Sequence, residues 1–193
     1  MGMRRSVGIS LLIFLVVGVT LSFVLAHRTQ SAETSKVPGI ATLPTEEGIN
    51  GTSTRSSVAG FREYRNERYH FSLLFPENLH VSFFEDGAGS GTVTFENTDD
   101  PEDVVGFEIF VVPYNGNVIP EERFSLDEPS GIVKDRKNIT VDGASGIGFY
   151  GLDERLLDTR EVWFTHEGLL YEVTTFKVLD KWLEPILQSW KFI

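Results

Sequence analysis

Cysteine is absent from all 193 residues. That excludes disulfides, thiolate metal sites, cysteine nucleophiles and lipid attachment at an N-terminal cysteine. The compartment stays open on this ground alone, but an exported domain without disulfides has to be held by its core. Fifteen Phe, five Tyr and three Trp can supply one. Basic residues are also scarce: 17 Lys and Arg stand against 28 Asp and Glu, a net charge of −11. That balance repels phosphates and argues against a nucleic-acid partner. No internal repeat is present. With 41% hydrophobic residues, a chain of this length holds one ordinary domain and little more.

What is present begins with an apolar run. Arg4 and Arg5 precede Val7 to Ala26, which carries no charge, and Arg28 follows. A helix of this length spans the ~30 Å hydrocarbon core of a bilayer. The expectation is residues 1–6 in the cytoplasm, a transmembrane anchor over 7–26 and everything after it outside, in a single-pass cell-membrane protein. The rival reading is a cleaved signal peptide, with Val24 and Ala26 as the small residues before the cut and the product secreted. Both readings export the rest.

Residues 27–60, "HRTQSAETSKVPGIATLPTEEGINGTSTRSSVAG", are rich in Ser, Thr, Gly and Pro and show no sustained apolar period. They read as a flexible linker with a coil span of roughly 30–35 Å. Asn50 and Asn138 each head a glycosylation tripeptide, a pattern common by chance.

From Phe61 the texture changes. In "YHFSLLF", Tyr69, Phe71, Leu73 and Phe75 alternate with His70 and Ser72, and Pro76 closes the strand. Strand-like runs follow at 80–85, 91–97, 104–112, 138–141, 145–152, 159–165 and 169–176, mostly with short Gly, Asn or Asp connections that favour antiparallel neighbours. "EVWFTHEGLLYEV" predicts a hairpin with its tip at His166, Glu167 and Gly168. One helix is predicted over Pro120 to Glu128, with proline and acids in its first turn. A second is predicted in "LDKWLEPILQSW", where Leu179, Trp182, Leu183, Ile186, Leu187 and Trp190 share one helical stripe. Pro185 interrupts it, so this helix is expected to start near Trp182 or to kink in its first turn.

The "YxFSLxFP"-type opening strand, "ITVDGASGIGF" and the closing "EVWFTHEGLLYEVTTF…LEPILQSWKF" together resemble the PsbP-like superfamily, the fold of the photosystem II extrinsic protein and of a Ran-binding nuclear import factor. The resemblance covers residues 61–193. It implies an α+β domain, an antiparallel β-sheet flanked by helices in an α/β sandwich, and it implies no catalytic residue. Similar domains close many membrane-anchored bacterial proteins.

Motifs for chemistry are thin. "GIGFYG" matches G-x-G-x-x-G at Gly146, Gly148 and Gly151, but a "VDG" turn precedes it and strand-like alternation runs through it, so the glycines are expected to let a helix pack close on a strand. Neither "GAGSG" nor "GASGIG" forms a nucleophile elbow. His27 lies in the linker; His70, His80 and His166 read as rim or surface residues, with His70 opposite Glu85 if their strands pair. No residue is assigned to catalysis, to a cofactor or to a metal.

Charge is more informative. Residues 61–193 carry twelve bases and twenty-five acids, and Glu77 to Glu128 alone holds thirteen acids against Arg123. Such a face suits a basic protein partner. Asp99, Asp100, Glu102 and Asp103 have the composition of a calcium loop without its spacing. The expected function is a non-catalytic, membrane-tethered, extracytoplasmic interaction module. A calcium-responsive version and a hydrolase with a hidden carboxylate site are the alternatives.

Overall fold

The computed structural model describes residues 51–85, 88–97, 105–128, 130–152 and 157–193. The expected anchor at 7–26, most of the linker and the acidic loop of Asp99, Asp100, Glu102 and Asp103 lie outside the described residues. Among the described residues no helix is long and apolar enough to cross a membrane.

Among the described residues, eleven strands form two antiparallel sheets. The smaller contains β1 (Gly51–Arg55), β2 (Phe61–Asn66), β3 (Phe71–Pro76) and β11 (Lys191–Phe192), in the order β1-β2-β3-β11. The larger is built from β4 (His80–Glu85), β5 (Gly91–Glu96), β6 (Gly106–Pro113), β7 (Lys134–Val141), β8 (Ala144–Leu152), β9 (Asp158–His166) and β10 (Leu169–Phe176). Its order is β4-β5-β6-β10-β9-β8-β7. Two short helices, α1 (Glu121–Asp127) and α2 (Asp180–Gln188), complete the domain.

The main core lies between the sheets. Tyr64, Phe71, Leu73 and Phe75 of the small sheet meet Phe95, Phe107, Ile109, Val162, Phe164, Tyr171 and Val173 of the large one. These are alternate residues of their strands, as a period of two requires. Leu183 and Ile186 of α2 and Trp190 just after it enter the same core, and Trp190 stacks on Phe71 at 4.4 Å. The opposite face of the large sheet has its own smaller cluster, Phe124 of α1 over Phe149, Trp163 and Leu170. One helix therefore lies on each side of the large sheet.

Four expectations need correction. The linker does not run to Gly60: Gly51–Arg55 is a strand paired along its length with β2. Its pattern is polar because β1 is a sheet edge with one side open to water, so no apolar alternation marks it. Tyr69 and His70 are not in the strand that follows. The chain turns there, His70 at φ 52°, with the Asn66 side chain accepting the Tyr69 N–H at 3.0 Å, and β3 starts at Phe71. Nor do β3 and β4 pair: Pro76 ends one sheet and His80 opens the other, which removes the His70–Glu85 juxtaposition. Finally, α2 does not wait for Trp182. A 3₁₀ turn, Lys177–Leu179, leads straight into Asp180. Pro185 deprives only the Lys181 carbonyl of its partner, and both residues are exposed, so water can serve it.

The predicted hairpin holds, with His166 still in β9 and a two-residue turn at Glu167 and Gly168, φ 44° and 82°, before β10; Asp142 and Gly143 make a second such turn between β7 and β8.

Candidate functional site

Alternation leaves the non-core face of the large sheet with an unusual set of side chains. Glu161 of β9, Thr174 of β10 and Glu108 of β6 are direct neighbours in the register and form a row across three strands. One residue pair along, Glu172 of β10 sits opposite Trp163. Glu108, Glu161 and Glu172 are each more than nine-tenths buried. From above, α1 brings Arg123, Asp127 and the residue that ends it, Glu128.

Each acid is held. The Trp163 indole N–H and the Thr174 hydroxyl both donate to Glu161 Oε2, at 3.2 and 2.7 Å. Arg123 donates to Glu172 Oε1 at 3.3 Å and forms an ion pair with Asp127 one turn along α1. Glu128 accepts the Ser130 hydroxyl at 2.6 Å and sits against β8. A Cβ on Gly151 would lie 2.6 Å from its Oε2, so only glycine leaves room for that carboxylate. Phe124 completes the seating of α1, stacked on Trp163 at 5.0 Å, with Arg136 4.3 Å above its ring and bonded to Glu121.

Five acids and one guanidinium in little water shift the proton equilibria. Burial pushes the Glu161 carboxyl up to about 7, against the hydrogen bonds that favour its charged form. Burial, then the neighbouring Glu161 and Glu96 charges, take Glu108 to about 8. Glu172 and Asp127 are also raised by burial; Arg123 works in the opposite direction. Glu128 rises for the same first reason. Near neutral pH this face therefore holds protons that carboxylates normally release, and proton uptake or release is the chemistry it supports. Among the described residues no three His, Asp or Glu side chains are placed to hold a metal ion.

The residues singled out in the sequence lie elsewhere. His80 opens β4, His70 is in the turn before β3, and His166 ends β9 with its ring stacked on Phe192 at 3.7 Å. Gly146, Gly148 and Gly151 run along β8, so "GIGFYG" is a strand, and of its three glycines only Gly151 meets the end of a helix, through Glu128 after α1. They make room instead for the Phe164 side chain, the Arg160 guanidinium and the Glu128 carboxylate. The guanidinium crosses Gly148 to bond Asp180 at 2.7 Å, which fixes the first residue of α2. The buried acids themselves went unassigned. Their signal was a lone glutamate inside an apolar strand, in "FEIFVV", "EVWF" and "LLYEV", on the alternate positions that face away from the main core.

No protein-family model and no curated protein matches the sequence. Among solved structures, the solution structure of cyanobacterial PsbP (CyanoP) from Synechocystis aligns with a TM-score of 0.51 at 12% identity, covering 76% of this chain and all of that one. The fold is PsbP-like. A crystal structure from Bacteroides thetaiotaomicron aligns over 68% of this chain at 16% identity with a TM-score of 0.43; the chain spans 48% of that protein. At this identity the likeness concerns the fold.

Proposed function

We propose that the chain displays a non-catalytic interaction module on the outer side of a membrane, tethered through the apolar run at 7–26. The observation that carries this reading is the use made of the buried carboxylates. Glu161, Glu172, Asp127 and Glu128 are engaged by Trp163, Thr174, Arg123 and Ser130, and the Arg123–Glu172 pair ties α1 to the sheet. A catalytic acid pair has to keep lone pairs or a proton free for substrate. The acid excess of 77–128, with Glu121 and Glu122 exposed on α1, supports a basic protein as partner.

A photocrosslinker at Glu122 in the full-length protein in its own membranes tests this. The expected result is a discrete, salt-sensitive adduct with a basic protein. Carbonate-resistant membrane association with an N-terminus at Met1 is expected alongside it. Absence of any adduct at Glu122 and at a second exposed α1 position would remove the interaction reading. A hydrolase is the second reading, favoured by the raised Glu108 and Glu161 carboxyls. It would require a hydrolytic activity that Glu161→Gln abolishes while the fold persists. A saturable calcium isotherm by calorimetry would favour the cation-responsive version.

A further inference from the structure

We propose that a groove at the open end of the sandwich binds a small organic anion, with Arg62 and Ser53 as its anion-holding residues. The groove has a volume of about 390 Å³, within the range of small-molecule sites. Ser53, Arg62 and Tyr64 form one wall, from β1 and β2; Glu77, Asn78 and His80 form the other, from the turn between β3 and β4.

Two independent observations mark the first wall. Arg55 and Arg62 are direct cross-strand partners, and like charges so placed oppose pairing. Acids to relieve them are plentiful, since residues 61–193 hold twenty-five. Arg65, Arg68, Arg123, Arg136 and Arg160 each have a carboxylate within ion-pair distance, whereas among the described residues Arg55 and Arg62 have none. Arg62 is half-buried and lies 5.8 Å over the Phe75 ring, which orients its guanidinium. Ser53, on the same face of β1 as Arg55, has a buried hydroxyl with no hydrogen-bond partner. A buried hydroxyl left unsatisfied is costly and calls for a partner. A carboxylate or phosphate group satisfies both, accepting from the guanidinium fork and from the Ser53 hydroxyl. Glu77 on the facing wall selects further: the remainder of the ligand should carry a hydroxyl or amino donor. The chemical class is thus a small hydroxylated or aminated carboxylate or phosphate.

The test uses the full-length protein in detergent, labelled with nitrogen-15, titrated separately with glycolate and with inorganic phosphate. Sodium chloride at matched ionic strength is the control. Saturable shifts of the Ser53 and Asn78 amides and of the Arg62 side-chain nitrogen are expected with one or both probes, and the preferred probe distinguishes carboxylate from phosphate. Arg62→Gln should weaken binding at least tenfold and Ser53→Ala several-fold, while Arg65→Gln, already paired to Glu67, should leave it unchanged. Arg62→Gln removes a like-charge opposition, so its melting temperature should not fall; Arg55→Gln supplies a second variant if it does. Chloride producing the same shifts, or binding indifferent to both Arg62→Gln and Ser53→Ala, would overturn the proposal.

Discussion

Glu108 and Glu161 face the same side of the large sheet two strands apart, with Thr174 directly between them in the register. Thr174 donates to Glu161 and so leaves Glu108 beside a charge it cannot offset. Burial is the first reason the non-core face is proton-rich, and for Glu108 the Glu161 charge adds to it.

Stability should therefore fall as pH rises. The ordinary glutamate value is 4.5, and the folded protein holds Glu161 at about 7 and Glu108 at about 8. Between those limits the native state keeps protons that the unfolded chain has released. The contribution is thus complete below about pH 4.5 and is lost as pH climbs through 7 and 8. Glu161 is worth on the order of 3 kcal/mol and Glu108 on the order of 5 kcal/mol. Asp142, lowered chiefly by its Lys191 hydrogen bond, acts in the opposite sense, but only as pH drops below the ordinary aspartate value of 3.8. Urea midpoints measured from pH 5 to 8.5 should decline in the native protein and decline less in Glu161→Gln, whose amide can still accept from Trp163 and Thr174. A flat profile would show that these carboxyls are ionised and solvated.

Legibility in this domain depended on local signals. The hairpin of β9 and β10 announced itself by its turn residues Glu167 and Gly168, although both strands are buried on both faces. The sheet edge Gly51–Arg55 did not, because neither of its faces is apolar, and neither did the turn at His70, where local chemistry from Asn66 overrides the ring-polar pattern. The split into two sheets was hidden for another reason: β3 and β4 are consecutive and short-linked, and only the packing of Phe71 and Phe75 against the large sheet separates them. The buried acids were invisible in a chain with 28 of them, since counting acids says nothing about which face each one takes.

Trp190 and Trp182 should differ. Both were expected as anchors, but Trp190 is only 1% exposed and touches Phe71, Phe164 and Tyr171, while Trp182 is half-buried against Phe107. Trp190→Ala should cost about 3–5 kcal/mol and Trp182→Ala roughly half of that. His166→Ala loses its stack on Phe192 and a 4.0 Å approach to the exposed Glu167, and should cost below about 1 kcal/mol. Denaturant melts of the three variants decide the order; a Trp190→Ala protein of native stability would show that α2 does not close the core.

Removing residues 1–60 should do damage that removing 1–50 does not. The shorter deletion keeps β1, whose five residues pair with β2 and whose Gly51 lies against the buried Tyr64 ring. The longer one turns β2 into a bare edge and opens Tyr64 to water. Thermal melts should show a cooperative transition for 51–193 at clearly higher temperature than for 61–193. Equal transitions would mean that β1 is an ornament on the sheet.

Gly146 and Gly148 should respond unequally to the same change, although both lie on β8 and both look crowded. A Cβ at Gly146 would come within 2.4 Å of the Trp163 carbonyl oxygen and 2.6 Å of Phe164 Cβ, on a paired strand that cannot retreat. A Cβ at Gly148 would meet the end of the Arg160 side chain at 2.7 Å, and that end can swing. Gly146→Ala should thus destabilise by about 1–3 kcal/mol, the range for overpacking in a well-packed interior. Gly148→Ala should cost less, because a strand gains from losing a glycine. Its penalty is instead the displaced guanidinium, which gives up Asp180 at the start of α2. Hydrogen exchange separates the two effects: the Gly148→Ala protein should lose protection at the N-terminal turn of α2 while its global stability holds. In Gly146→Ala the loss should spread over β8 and β9. If Gly148→Ala proved the more destabilising of the two, the Arg160 side chain would be locked in place rather than free to yield.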